Sequence, residues 1–490
     1  MPAVRYVLAL ALSLGHFLSG TAQTLDPAFG TAGQYLLTTA DGESLNDMVR
    51  MTDGRIVAVG TRTLLDNSEL RVVRLLANGT PDPSFGTGGM LSILFGDGYT
   101  QGITLVVLND GRIVAAGGTE VDGARRMFAY RMLVNGDPDP SFGTGGLFLS
   151  DVGVGGEHLT CLLLQGDGNV LLGGDVVSAT TTSACIIRLT TTGTLDNSWG
   201  DGGVMTHNAF GGTEVMLVND MVLDAAGQVL ATGLTAISGT NDAYVMHLLP
   251  DAGLDPDYGI AGEALIIDNA TDEYGSAIVI APSGDAYVAG TRFIIGGDDL
   301  ILHHLATDGT VLDLGGNMSW QLIVDGSEYS ERMIMDPYGG LILSVTSYDM
   351  NFIGHAQVLR LTTTPAVDAS FGINGWITLP APENAEAGAV LLEPDGTLLF
   401  CGFRYPSEGA SEGVVAHYDD LPMSIDAARA NDSFGVSPNP CNGQFTLRAA
   451  QALERVCLRD AAGRQVLDER LTLAAGADHV MVLPSSISPG

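Results

Sequence analysis

Seven tandem copies of one all-β unit, each about 57 residues long, predict a seven-bladed β-propeller. Three observations carry this prediction. The segment Asp53-Gly54-Arg55-Ile56-Val57-Ala58-Val59-Gly60 returns six more times in degraded form, its opening glycine falling at Gly54, Gly111, Gly168, Gly227, Gly284, Gly339 and Gly396. The intervals are 57, 57, 59, 57, 55 and 57, and so regular a period means one supersecondary unit that buries its apolar face against its neighbours. No unit shows a helical period; each reads as four short strands separated by Gly, Asn and Asp. Four-stranded antiparallel units in tandem are what stacked propeller blades require. The period exceeds the roughly 40–50 residues of common propeller repeats, and longer loops absorb the difference. An open β-solenoid is the rival, but it calls for atypical capping units that the sequence does not contain.

The chain opens with the three parts of a secretory signal. Arg5 gives a positive start, Tyr6 to Leu14 is apolar, and Gly20-Thr21-Ala22 supplies small residues before Gln23. Residues 1–22 are therefore expected to be removed on export, and the run is too short to span a bilayer. No later stretch is long and apolar enough for a membrane helix, so no span is expected after cleavage.

Residues 23–421 hold the repeats. In the stretch 90–146, Met90–Phe95 reads as a first short strand, followed by a turn at Gly96–Gly98. Ile103–Leu108 is a second strand, apolar throughout, and Asn109-Asp110-Gly111 turns the chain, because Asp-Gly accepts the positive backbone angles of a tight hairpin. Arg112–Ala116 and Met127–Val134 follow as third and fourth strands, and Asp139-Pro140-Ser141-Phe142-Gly143 links to the next unit. Apolar residues on both faces of strands two to four are expected where sheets stack between neighbours.

Two positions inside the repeat carry a physical message. An aromatic followed by glycine recurs in the linkers as Phe29, Phe85, Phe142, Trp199, Tyr258 and Phe371, and reads as a plug between adjacent blades. The sixth linker, around Asp313, has lost its aromatic. A basic residue stands among apolar neighbours in every unit: Arg74, Arg131, Arg188, His247, His304, Arg360 and His417. A half-buried cation needs a partner. Asp82, Asp139, Asp196, Asp255 and Asp368 each follow their basic residue by eight positions, and Asp313 follows His304 by nine. Each pair is expected to tie a blade to its linker. Asp26 has no strand before it and His417 no linker after it, so a closed ring brings these two together as the seventh pair. A structural brace and a ligand-binding ring both remain readings of this set.

Net charge is −36, and all 21 basic residues are Arg. Residues 23–421 hold 14 Arg against 50 acids, whereas 422–490 hold 6 against 7, and this shift marks a boundary. So acidic a surface repels nucleic acid and anionic lipid. Five cysteines, Cys161, Cys185, Cys401, Cys441 and Cys457, are too few for a disulfide framework in a chain of 490 residues. Cys161 and Cys185 fall on strands separated by a third, while the sequence leaves open whether Cys441 and Cys457 pair.

With these residues in hand, the repeats resemble the delta-60 repeat family, whose units run basic-Leu, Gly, Leu-Asp-Pro-Ser-Phe-Gly, then Asp-Gly-Lys/Arg-Ile. Arg74-Leu75, Gly79, Asp82-Pro83-Ser84-Phe85-Gly86 and Asp110-Gly111-Arg112-Ile113 carry the resemblance, which covers nearly all of 24–421 and weakens between about 263 and 365. It implies a propeller in exported bacterial proteins, and no reaction or ligand. After a linker at 422–432, the run Phe434-Gly435-Val436-Ser437-Pro438-Asn439-Pro440, then Gly443-Gln444-Phe445-Thr446-Leu447 and Asp460-Ala461-Ala462-Gly463-Arg464-Gln465-Val466, resembles a type IX secretion C-terminal sorting domain. That resemblance implies a small β-sandwich at 433–490, read by the type IX machinery and usually cleaved, leaving the protein secreted or attached at the outer membrane. Such domains continue with a further hairpin and a final strand; this sequence stops at Gly490, which implies an incomplete domain.

No Gly-rich phosphate loop and no nucleophile elbow stands at a strand-to-helix turn. His303 and His304 are adjacent on one strand and face opposite ways, and His158 with Cys161 lacks a second ligand pair. Asp-rich loops such as Asp196–Asp201 leave calcium open as a ligand, but they lack the alternating carboxylates of a dedicated loop, and turn stabilisation by Asp and Asn side chains accounts for them more simply. The sequence therefore calls for no catalytic residue, cofactor or metal. The expected role is non-catalytic binding of an extracellular glycan or protein, or scaffolding. The alternatives are a propeller enzyme acting on polysaccharide, with carboxylates converging at one channel mouth, and a structural or adhesive surface protein.

Overall fold

The computed structural model describes residues 24–419, apart from 154, 180, 209–214, 238–239, 267–270, 295–296, 313, 315–318, 323–325, 381–383, 394–395 and 408, together with five strands between Phe434 and Val482. The expected signal sequence at 1–22, the expected linker at 422–432, Asp313 and Cys441 lie outside the described residues.

The described residues are all β, with seven antiparallel sheets arranged as the blades of a propeller. Blade 1 runs outward from the axis as Gly42–Arg50, Ile56–Thr63, Ser68–Leu75 and Met90–Ile93. The inner strands of blades 2 to 7 are Thr100–Val107, Glu157–Leu164, Met216–Leu223, Asp272–Ile280, Ser327–Met335 and Ala385–Leu392. Each inner strand packs beside the next, and Ala385–Leu392 packs against Gly42–Arg50, so the ring closes.

The blade is offset from the repeat by one strand. Read as the first strand of its unit, Met90–Ile93 instead pairs with the preceding blade, Met90 opposite Val73 and Ile93 opposite Leu70. The linker explains this: bridges Leu75↔Pro81 and Thr87↔Met90 fold it into a compact turn that lays the next strand alongside the one just completed. The offset leaves the last blade one strand short at its own end. Gln34–Leu37 fills that place, pairing from Gln34↔Ala416 to Leu37↔Gly413, and Thr24–Leu25 continues the pairing to Asp419 and Tyr418. The N-terminal segment thus closes the circle.

Apolar residues on both blade faces build cores between the blades. Val57, Val59, Leu70 and Val72 of blade 1 pack with Leu105, Ile113, Ala115 and Phe128 of blade 2. Across the closure, Leu399, Cys401 and Val415 of blade 7 meet Leu45, Ile56, Ala58 and Val73 of blade 1. Cys161, Cys185 and Cys401 are buried free thiols, and burial pushes each up to about 12. They behave as small core residues. Each repeat glycine turns the innermost hairpin; Gly54, at φ 87, sits where an L side chain is strained.

In the C-terminal region, Phe434–Ser437, Gln444–Ala449 and Asp478–Val482 form one antiparallel sheet, and Leu453–Arg459 pairs with Gln465–Leu473 in a second. Among the described residues no helix is long and apolar enough to cross a membrane.

Deleting residues 24–38 removes the outer strand of blade 7 together with the buried side chains of Phe29 and Leu37. Urea unfolding should then show a loss of at least about 4 kcal/mol, the scale of losing one large buried aromatic. An unchanged midpoint would mean that the strand does not close the ring.

Candidate functional site

The repeated basic residues and linker acids meet in six copies. Arg74 Nε donates to Asp82 Oδ2 at 2.8 Å and Nη2 to Ser84 Oγ at 2.9 Å. Arg131 repeats the arrangement with Asp139 at 2.7 Å and Ser141 at 2.9 Å. Arg188 Nε lies 3.5 Å from Asp196, His247 Nδ1 3.0 Å from Asp255, Arg360 Nη1 3.6 Å from Asp368 and His417 Nδ1 3.1 Å from Asp26. His304 Nε2 instead lies 3.3 Å from Asp285, its ring stacked on Tyr287 at 4.3 Å, and Asp313 is outside the described residues.

These pairs also reach the neighbouring blade. Arg74 Nη1 donates to the Val134 carbonyl and Arg131 Nη1 to the Thr191 carbonyl, each one blade further on. The linker aromatics Phe29, Phe85, Phe142, Trp199, Tyr258 and Phe371 are all buried. The guanidinium of Arg74 lies 4.6 Å from the Phe85 centroid, as does that of Arg131 from Phe142. Phe29 lies against Gly79 of blade 1, which at φ 76 has no room for a side chain: a Cβ there would come within 2.7 Å of the Phe29 ring. Gly30 N donates to Asn78 O at 2.7 Å and Gly86 N to Asn135 O at 3.0 Å, adding backbone bonds between blades.

Sequence reasoning missed the second partner of the basic residue. Asp167 accepts from Arg188 at 2.6 Å, Asp336 accepts from Arg360 at 2.6 Å, Asp224 lies 3.4 Å from His247, and Thr397 Oγ1 lies 3.1 Å from His417 Nε2. All stand within three residues of a repeat glycine, but at no fixed offset, so spacing alone does not find them. Asp26, His417 and Asp419 place potential ligand atoms within 4.8 Å of one another, the one such group of three among the described residues. His158 pairs with Asp175 at 2.9 Å while Cys161 is buried in the core, so these two do not form a shared site. His303 lies 3.4 Å from Glu273, on the face opposite His304.

A second periodic set, also missed, builds the central channel. Every inner strand bulges once, at Asn46, Ile103, Thr160, Asn219, Ser276, Glu331 and Gly388. Each stands eight residues before its repeat glycine, and that fixed offset was the available signal. A bulge re-aims a side chain out of the pleat, and all seven line an axial cavity of about 550 Å³. Spokes join neighbouring inner strands: Asn46 Nδ2 to Gly102 O at 2.7 Å, Thr160 Oγ1 to Val218 O at 2.6 Å, and Asn219 Nδ2 to Gly275 O at 2.8 Å.

Blades 5 to 7 break the pattern at this channel. Tyr274, Tyr329 and Phe403 supply aromatic faces, and Glu331, Arg332 and Glu386 supply charge. Arg332 lies 4.0 Å from Asp47 across the channel and is also under the charge of Asp220. Glu331 faces the lumen but is ringed by protein, and burial pushes its carboxyl up to about 7, with Arg332 opposing and Glu386 reinforcing the rise. Asp220 is likewise raised by burial, against the pull of Arg332. The channel therefore gathers four carboxylates around one guanidinium.

Three stretches of the chain, residues 52–85, 108–142 and 165–198, match the family described as "Domain of unknown function (DUF5122) beta-propeller". Each runs from an innermost hairpin to or beside the linker aromatic of blades 1, 2 and 3. The chain is a β-propeller protein. No curated protein matches it. Among solved structures, it is similar to a protein of unknown function from Dyadobacter fermentans (12% identity, TM-score 0.43, covering 80% of this chain and 99% of that one). It is also similar to the polysaccharide lyase Uly1 (10% identity, TM-score 0.47, 81% and 98%) and to Sqt1 of Chaetomium thermophilum (15% identity, TM-score 0.39, 86% and 93%). At these identities and scores, none of the three bears on what this chain binds.

Asp82 gives the brace a pH signature. Burial alone would raise its carboxyl, but the Ser84 hydroxyl and amide, with Arg74 and Arg55, hold it down at about 2. Its folded value lies below the unfolded value of about 3.9. The stability it contributes is therefore full above pH ~4 and lost as pH falls toward 2. Thermal midpoints of wild type and Asp82→Asn should differ most above pH 4 and converge as pH falls to 2; a gap that persists at pH 2 would deny the brace its ionic character.

Proposed function

We propose that this protein is an exported, non-catalytic binding protein whose central channel holds an uncharged glycan. The channel carries the proposal. Asn46, Gln101, Asn219 and Ser276 offer hydrogen-bonding groups, and Tyr274, Tyr329 and Phe403 offer flat apolar faces beside them, the combination of apolar walls and a few placed polar groups that small-ligand sites use. Four carboxylates around Arg332, on a chain of net charge −36, disfavour an anionic polysaccharide. The signal-like start supports export, and the run from Phe434 to Val466 supports sorting through the type IX machinery and a final place in the medium or at the outer membrane.

A second reading, a hydrolase of polysaccharide, is favoured by one observation. Glu331 and Glu386 line the same channel, and Glu331 is held near neutrality, as a general acid would be. One experiment separates the two. The purified mature chain is incubated with neutral and anionic polysaccharides, and bound sugar and new reducing ends are both measured. Saturable binding of a neutral glycan without new reducing ends is expected, and Tyr329→Ala should weaken it about tenfold or more, the loss of one stacking face with its hydrogen bond. New reducing ends that vanish in Glu331→Gln would replace the binding reading with the hydrolase. No binding at all would leave a structural or adhesive surface role.

A further inference from the structure

Three residues before its bulge, the inner strand of blades 1, 3, 5 and 6 carries a buried glutamate: Glu43, Glu157, Glu273 and Glu328. Three of the four have a cation. Arg71 holds Glu43 through Nε at 2.9 Å, Arg126 lies 3.4 Å from Glu157, and Arg292 Nε donates to Glu273 at 2.6 Å. Glu328 is the exception. It is 1% exposed, its Oε2 has no hydrogen-bond partner, and no basic side chain of the described residues forms an ion pair with it.

Register explains the contrast with blades 1 and 5: Arg292 stands opposite Glu273, where blade 6 sets Ser347 opposite Glu328. Arg71 stands opposite Gly60 on the second strand of blade 1, and the equivalent place opposite Val345 in blade 6 holds the neutral Gln357. Gln357 is itself engaged, donating to Thr378 Oγ1 at 3.1 Å and accepting from Ser347 Oγ at 2.8 Å. Asp298 and Asp299 add negative charge nearby, and burial first, then these two, push the Glu328 carboxyl up to about 7. A buried carboxylate without a partner is costly.

Glu328 lines a cavity of about 580 Å³ between blades 6 and 7, separate from the axial channel. Tyr348, Trp376, Ile373 and Tyr418 form its walls, and His355 and Asp349 are the other titratable groups facing it. The volume is that of a small-molecule site. We propose that this cavity binds a small organic cation, an ammonium or guanidinium group on an apolar stem, which pairs with Glu328 and lies against Trp376 and Tyr348. The bound cation takes the place that Arg71, Arg126 and Arg292 fill in the sister blades. The aromatic walls attract a cation through their ring faces and accept the apolar stem.

The test is calorimetric titration of the mature chain with agmatine, putrescine and a capped arginine tripeptide, with n-butanol as the neutral control. Saturable binding of at least one cationic probe and none of butanol is expected. Whether the free amines or the tripeptide binds tells a small-molecule source from a protein side chain. Glu328→Gln, nearly isosteric and without the charge, should weaken binding at least about tenfold, the scale of one charged hydrogen bond. Trp376→Leu should weaken it through a residue that is only half-buried, so a fold defect in one variant does not decide the matter. Binding should strengthen from pH 5.5 to 8, as Glu328 ionises. Absence of binding by every cationic probe, or equal binding by Glu328→Gln, overturns the proposal.

Discussion

The fold depends on the contact between consecutive blades made by one basic residue, one aspartate and one aromatic. A propeller has no central hydrophobic core. Its axis is a polar channel, so its stability rests on faces between blades. The basic residue stands in the third strand of its blade, takes the linker Asp beside it, and in the Arg74 and Arg131 copies reaches a carbonyl of the next blade. The aromatic three residues after the Asp is buried in the linker, and Phe29 shows how it seats against a neighbouring glycine turn. In the Arg74 and Arg131 copies Nε, Nη1 and Nη2 each have a partner, which lets these two arginines be almost fully buried. Where histidine replaces arginine, as at His247 and His417, a group from the hairpin turn lies near the other ring nitrogen: Asp224 at 3.4 Å from His247 Nε2 and Thr397 Oγ1 at 3.1 Å from His417 Nε2.

Closing the ring uses these same parts. The N-terminal segment lends the last blade its outer strand, its Asp26 and its Phe29, and the His417–Asp26 pair lies within that seam. Because the seam joins residues nearly 400 apart, the loop-closure cost is incurred once, and the six other interfaces are local. Regularity at the rim also frees the axis. The seven bulge positions line the channel, six of them with a side chain, and they drift from Asn and Thr to Glu331 and Gly388 while the blades keep their pairing. The departures concentrate in blades 5 to 7, within and just beyond the stretch where the repeat pattern weakens.

The number of blades, their all-β character and the basic–Asp spacing of eight were legible because they are fixed by local spacing. The blade boundary was not. A repeat has no marked beginning, and only the pairing of Met90–Ile93 with the blade before it sets the phase. The bulge positions share the period of the glycines yet were hidden, because polar residues such as Asn46 and Thr160 inside apolar strands look like ordinary variation until the pleat is known. Glu328 was hidden more deeply. That it lacks a cation follows only from the cross-strand register that sets Gln357 where blade 1 has Arg71.

Hydrogen exchange across the seam tests the closed ring most directly. The amides of Gln34–Leu37 occupy in blade 7 the place that Met90–Ile93 occupy in blade 1. If the N-terminal strand closes the ring, mass spectrometry of peptides covering the two strands will find them protected to a similar degree. Exchange of the 34–37 amides at the rate of free chain, beside a protected 90–93 strand, would contradict closure and with it the account of how this propeller holds together.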